Sequence, residues 1–171
     1  LSAPCAGVFD ASGNLWVADY GNNRVLQFKP PFSVGMSASQ VLGQFAFSSS
    51  APATSRNGLR GPDALAFDAS GNLWVADFGN NRVLSFAPPF SKGMRASLVL
   101  GQPGFASSAT ATTPVGLNSP TGAAFDASGN LWVSEGGNNR VLKFAPPFSS
   151  GMAATLVLGQ PDFVSNSAAA T

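Results

Sequence analysis

The sequence predicts an all-β chain built of repeated four-stranded antiparallel meanders, and three observations carry that prediction. The segment FDASGNLWVADYGNNRVLQF beginning at Phe9 returns in nearly the same form from Phe67 and from Phe125, each copy 58 residues after the last. Within each copy, short runs of branched and aromatic residues alternate with clusters of Gly, Asn, Asp and Pro, the pattern of strands joined by tight turns. No segment holds an apolar 3.6-residue period long enough for a stable helix, because Gly or Pro interrupts every candidate.

The second unit, opening at Leu59, shows the elements in order. Pro62 precedes a short apolar run, Ala64 to Phe67, closed by Asp68-Ala69-Ser70-Gly71. Here Asp can form an Asx-type turn and Gly can take the positive φ of a hairpin. Asn72 to Asp77 makes a second strand, Phe78-Gly79-Asn80-Asn81 a turn, and Arg82 to Phe86 a third strand. Pro88-Pro89 stops it, since proline donates no ladder hydrogen bond. Ser97 to Gly101 is the fourth strand, followed by a polar connection of small residues from Gln102 to Gly116.

Such a unit cannot bury its apolar faces alone, so the units must stack as an array. Four-stranded meanders stacked radially are the blades of a β-propeller. The blades are read as residues 1–58, 59–116 and 117–171, one array rather than independent domains. First strands of small residues, such as Ala6-Gly7-Val8 and Gly122-Ala123-Ala124, suit a crowded axis. Trp16, Trp74 and Trp132 on the second strands suit the widening space between blades, with Phe9, Phe67 and Phe125 as further packing residues. The near identity of the units is the mark of recent duplication or of an array built from identical blades.

Only 10% of the 171 residues are charged, against roughly 25% in an average soluble protein. The net charge of +1 contains no basic run, so neither a nucleic acid nor a membrane is an expected partner. No apolar stretch approaches the length of a membrane-spanning helix. Scarce lysine with abundant Ser, Ala, Thr and Asn points to an extracellular or cell-envelope bacterial protein. Cys5 is the single cysteine and stands where the other units hold Asp63 and Thr121; it is read as incidental. With no histidine in the chain, a Ser-His-Asp triad, a Cys-His pair and a histidine-ligated metal are all ruled out.

The run D-x-x-G-N-L-W-V-A-D-x-G-N-N-R-V-L-x-F resembles the NHL repeat over about twenty residues of each unit. That resemblance implies a β-propeller, often of six blades, although a 58-residue unit is longer than the roughly 40 to 50 residues of common propeller repeats. Some propellers of this kind are peptide-amidating lyases, but the metal-binding histidines expected of that group have no counterpart here.

The recurring polar set is Asp19, Asn22, Asn23 and Arg24; then Asp77, Asn80, Asn81 and Arg82; then Glu135, Asn138, Asn139 and Arg140. An acid and a guanidinium flanking one turn predict a charge-assisted bond across it or to the next blade. The competing functional reading is a ring formed by Arg24, Arg82 and Arg140, with Gln44, Gln102 and Gln160 nearby, receiving an anionic group. Identical placement in every blade favours architecture. The turns from Asp10, Asp68 and Asp126 offer one carboxylate each, too few for calcium, and no cofactor or metal is expected. The tryptophans are read as packing residues in preference to a ligand platform.

The expected function is therefore a non-catalytic scaffold or binding module for protein, peptide or glycan, with its ligand face where the second-to-third and fourth-to-first loops emerge. The alternative is a lactonase or lyase holding a metal through Asp19, Asp77 or Glu135. Three blades leave two bare outer faces, which predicts self-association: a head-to-tail homodimer of six blades, or alternatively a homotrimer of nine.

Overall fold

The computed structural model describes residues 1–168; the last three residues of the third predicted blade, 169–171, lie outside the described residues. Among the described residues, twelve strands form three separate four-stranded antiparallel sheets. Blade 1 contains β1 (Pro4–Phe9), β2 (Leu15–Asp19), β3 (Arg24–Phe28) and β4 (Gln40–Leu42). Blade 2 contains β5 (Pro62–Phe67), β6 (Leu73–Asp77), β7 (Arg82–Phe86) and β8 (Leu98–Leu100). Blade 3 contains β9 (Pro120–Phe125), β10 (Leu131–Glu135), β11 (Arg140–Phe144) and β12 (Leu156–Leu158). Each sheet keeps sequence order from one edge to the other, as expected of a propeller blade. The innermost strands β1, β5 and β9 lie side by side, which is why they are made of small residues.

The core sits between blades rather than inside them. One cluster joins Trp16, Ala18, Val25 and Leu42 of blade 1 to Leu59, Leu65, Leu73, Val75, Leu84 and Phe86 of blade 2. A second joins Trp74, Val83 and Leu100 of blade 2 to Leu117, Leu131, Val133, Leu142 and Phe144 of blade 3. Strand alternation explains the division. Along β6, Leu73 and Val75 face the preceding blade while Trp74 faces the following one, so all five residues of the strand are buried. A sheet covered on both faces has no polar side, which accounts for its continuous apolar run.

The tryptophans hold these junctions together. Trp16 meets Phe90 of blade 2 edge to face with ring centroids 4.6 Å apart, and Trp74 meets Phe148 of blade 3 at 4.8 Å. The same indoles also pack against Phe67 and Phe125. Phe90 and Phe148 come from the loops that follow Pro88-Pro89 and Pro146-Pro147. These loops thus cover the outer part of each junction.

Candidate functional site

The polar set forms at the hairpin between the second and third strands. In blade 2, Asp77 and Arg82 face each other at the last register of β6 and β7. A single 3-10 turn, Phe78–Asn80, joins them, and Asn81 closes it at φ 51°. Asn is among the few residues that take this left-handed conformation readily, which explains the second residue of the Asn-Asn pair. Asp77 accepts hydrogen bonds from Arg82 Nε at 2.8 Å, Asn80 Nδ2 at 2.8 Å and the backbone N–H of Arg60 at 2.7 Å. Burial pushes its carboxyl up, against the opposing pull of Arg82. Glu135 is likewise raised by burial, opposed by Arg140. In blade 1 the burial of Asp19 is outweighed by bonds from the Ser2 backbone, Asn22 and Arg24, and its carboxyl is lowered.

Each arginine clamps the connections around its blade. Arg82 Nη1 donates to the carbonyl of Phe105, and Nη2 donates to Ser55 at 2.9 Å and Gly58 at 3.0 Å, both on the chain entering from blade 1. Arg140 repeats this with Phe163, Thr113 and Gly116. Arg24 reaches Asp19 and Phe47, and among the described residues its Nη2 has no such carbonyls.

The glutamines and asparagines complete the frame. Gln102 Nε2 donates to the carbonyls of Asn81 and Ala109. Gln44 and Gln160 bond the corresponding atoms of Asn23 and Ala51, and of Asn139 and Ser167. Asn23 Oδ1 accepts the N–H of Gly61 at 2.8 Å, and Asn81 Oδ1 that of Ser119 at 2.8 Å, tying one blade to the next. The candidate anion-binding arginines and glutamines are therefore engaged with the chain's own backbone and carboxylates. Asp19, Asp77 and Glu135 each serve the arginine of their own blade, and among the described residues no three acidic or thiol side chains gather as a metal would require.

The first turn has a polar purpose that strand and turn patterns do not reveal. Asp68 accepts the backbone N–H groups of Ser70 and Asn72 and also the indole N–H of Trp74 at 2.9 Å. Asp10 does the same for Trp16 at 2.8 Å, and Asp126 for Trp132 at 2.9 Å. The strand-two tryptophan thus packs between blades while its single polar atom is satisfied within its own blade.

One group of positions at which the blades differ lies at the hairpin end of the inner strands; others lie in the loops after the third strands and in the connections after the fourth. Cys5, Asp63 and Thr121 occupy one repeat position; Tyr20, Phe78 and Gly136 another; Ser2, Arg60 and Asn118 a third. The Cys5 thiol lies 3.3 Å from the carbonyls of Pro62 and Asp63, and burial, aided by Asp63, pushes its pKa up to about 12. Tyr20 and Phe78 stand with ring centroids 6.1 Å apart. With the exposed Arg60 they border a depression of about 320 Å³ that also includes Asn23 and Pro52. The residue-by-residue differences among the units were the available signal for this surface, but it is hidden until the strands are set side by side.

A family model described as the NHL repeat matches residues 7–28, 59–86 and 117–144, one segment in each blade. No curated protein sequence matches the chain. Among solved structures, the chain is similar to the nidogen/laminin complex with TM-score 0.60 and 20% identity, covering 95% of this chain and 49% of that one. It is similar to a putative 6-phosphogluconolactonase from Bacteroides uniformis with TM-score 0.56 and 16% identity, covering 91% and 42%. It is also similar to virginiamycin B lyase from Staphylococcus aureus with TM-score 0.55 and 14% identity, covering 94% and 42%. At these identities the likeness concerns the fold, and the chain spans less than half the length of each. The repeat matches, the three sheets and the shared architecture agree: the chain carries three NHL repeats, one in each blade of a β-propeller fold.

Proposed function

We propose that the chain is a non-catalytic binding module or scaffold whose contact surface is the hairpin end of the inner strands. One observation carries this reading. The polar side chains copied into every blade are engaged in holding the blades and connections together, whereas Tyr20, Phe78, Arg60 and Asp63, at the same end, differ from blade to blade. Two aromatic rings beside an exposed guanidinium suit stacking and hydrogen bonding with a peptide or glycan. The second reading, a lactonase or lyase with a carboxylate-held metal, draws on the enzymes among the similar structures. Against it, the repeated acids are each paired with a buried or nearly buried arginine in a separate blade.

The two readings separate experimentally. Screening on peptide and glycan arrays is expected to give a ligand whose binding is lost in Tyr20→Ala and Arg60→Ala variants that stay folded. Calorimetric titration with Ca²⁺, Mg²⁺, Mn²⁺ and Zn²⁺ is expected to show no saturable site. Saturable metal binding abolished by Asp77→Asn, together with metal-dependent lactone hydrolysis, would overturn the proposal in favour of the enzyme.

A further inference from the structure

The junction between blades 1 and 2 departs from that between blades 2 and 3 along one row of side chains. Trp16, Gln27 and Gln40 stand opposite one another on β2, β3 and β4 and so share one face of the sheet, the face that Trp16 turns toward blade 2. The same row in blade 2 is Trp74, Ser85 and Leu98. Gln40 Nε2 donates to the carbonyl of Phe90 at 3.3 Å, which ties the loop after Pro88-Pro89 across the junction. Gln27 is 5% exposed, and its Oε1 accepts the Ser39 hydroxyl at 2.9 Å. Its Nε2 has no hydrogen-bond partner among the described residues, yet no fully enclosed polar side-chain atom there is left unpaired. The Nε2 therefore opens on the cavity of about 380 Å³ that Gln27 borders, between the first turns of the two blades.

We propose that this cavity binds the ring of a neutral sugar, at the opposite end of the strands from the Tyr20 and Arg60 surface. This goes beyond the binding-module reading and does not depend on it. The lining selects the ligand. Asp10 and Asp68 border the cavity, and among the described residues no lysine or arginine does, so an anion is repelled. Both carboxylates are already occupied by the backbone and indole N–H groups of their own blades, so they set the potential and leave the contacts to other groups. Asn14, which also borders the cavity, donates through Nδ2 to Asp10 at 2.8 Å, and its Oδ1 has no partner among the described residues. The cavity thus offers a donor, Gln27 Nε2, and an acceptor, Asn14 Oδ1.

An ammonium or guanidinium ion cannot accept from Gln27. Sugar hydroxyls both accept and donate, and the C–H face of a sugar ring packs on Phe67 and Phe90, whose rings border the cavity edge to face with centroids 6.3 Å apart. A peptide amide has the same two polar groups, but an extended chain needs a groove. A cavity near the lower end of the roughly 300 to 1,000 Å³ of ligand sites suits a single ring. The donor is particular to this junction: Ser85, at the repeat position of Gln27, is 1% exposed and has its hydroxyl 3.4 Å from that of Ser97.

The test is titration of the full chain with glucose, mannose, galactose and N-acetylglucosamine, followed by proton–nitrogen NMR of the side-chain amides. At least one of these sugars is expected to bind saturably at millimolar concentration and to shift the Gln27 amide resonance, identified by its absence from Gln27→Ser. That variant carries the residue blade 2 already holds at this position beside the equivalent serine, so it is expected to fold, and to bind the sugar about tenfold more weakly for the loss of one hydrogen bond. Tyr20→Ala and Arg60→Ala are expected to leave this binding unchanged. Absence of saturable binding for every sugar, undiminished binding in Gln27→Ser, or a sugar lost in Tyr20→Ala and kept in Gln27→Ser would each overturn the proposal. So would a Gln27 amide that shifts with methylammonium or triglycine and with none of the sugars.

Discussion

Trp74 donates its indole N–H to the carboxylate of Asp68 at 2.9 Å while its ring is held edge to face against Phe148 of the next blade at 4.8 Å. One side chain thus couples the first turn of its own blade to the apolar junction beyond it. The Asp68 carboxylate also accepts two backbone N–H groups of its turn. Its removal leaves a buried indole donor without a partner. Asp68→Ala is expected to lower unfolding free energy by about 3 kcal/mol, since hydrogen bonds to charged groups contribute roughly 1.5 to 3 kcal/mol each and their losses overlap. Urea denaturation followed by tryptophan fluorescence measures this, and Asp68→Asn is expected to recover part of the loss.

Paired glycine substitutions separate backbone strain from crowding at the junction. Gly101 and Gly159 hold nearly the same positive φ, 83° and 84°, but a methyl group on Gly101 meets the Leu117 side chain. Gly159→Ala is expected to cost about 1 to 2 kcal/mol for the left-handed conformation, with the close approach of the methyl group to the Asn139 carbonyl oxygen, 3.1 Å, adding to it. Gly101→Ala adds overpacking of about 1 to 3 kcal/mol. Chemical denaturation of the two variants in parallel gives the difference.

Acid should release the first turns. The Asp126 carboxyl is held well below the usual carboxylate range by Asn130 and Trp132, and the burial of Asp10 is outweighed by bonds from Trp16 and Asn14, so it is lowered too. A depressed folded-state pKa means that the stabilisation is fully present above the unfolded value near 3.8 and is lost as pH falls through the folded value. Stability is therefore expected to be flat from neutral pH down to about 5 with respect to these groups and to fall below about 4. Denaturant midpoints across that range test the sign; a midpoint rising on acidification below 4 would contradict it.

The Cys5 thiol should react slowly despite its exposure. With its pKa pushed up to about 12 by burial and by Asp63, little thiolate is present at pH 8. The greater nucleophilicity of a more basic thiolate offsets part of this, leaving a rate about thirty-fold below that of an unperturbed thiol. Iodoacetamide labelling followed by mass spectrometry measures the rate, and Asp63→Ala is expected to accelerate it.

Much of the fold was legible in the sequence because each repeat carries its own punctuation. The third strand, Arg82–Phe86, agrees with the pattern to the residue, and the second is one residue shorter than expected at its start. The ion pair was also legible, since Asp77 and Arg82 flank one short turn. Its reach was not: the carbonyls of Ser55 and Gly58 lie on a connection with no periodicity, and only the folded path brings them to Arg82. The bond from Asp68 to Trp74 escaped for a related reason. A tryptophan within an apolar strand signals packing, and nothing in that pattern indicates where its N–H points. The variable surface around Tyr20 and Phe78 required both the alignment of the units and the radial arrangement of the blades.

The central claim is that the repeated polar set secures each blade to the chain arriving from the blade before it. Arg82 and Arg24 are the same repeat position in two surroundings: Arg82 bonds Ser55 and Gly58 of the incoming connection, and Arg24 has no equivalent partners among the described residues. The most direct measurement is the unfolding free energy of Arg82→Ala beside that of Arg24→Ala by urea denaturation. Removing Arg82 leaves the buried Asp77 uncompensated, a loss of about 3 to 5 kcal/mol, and the two connection carbonyls without their donor. Arg24→Ala is expected to cost less than half as much. Equal losses at the two positions would contradict the account.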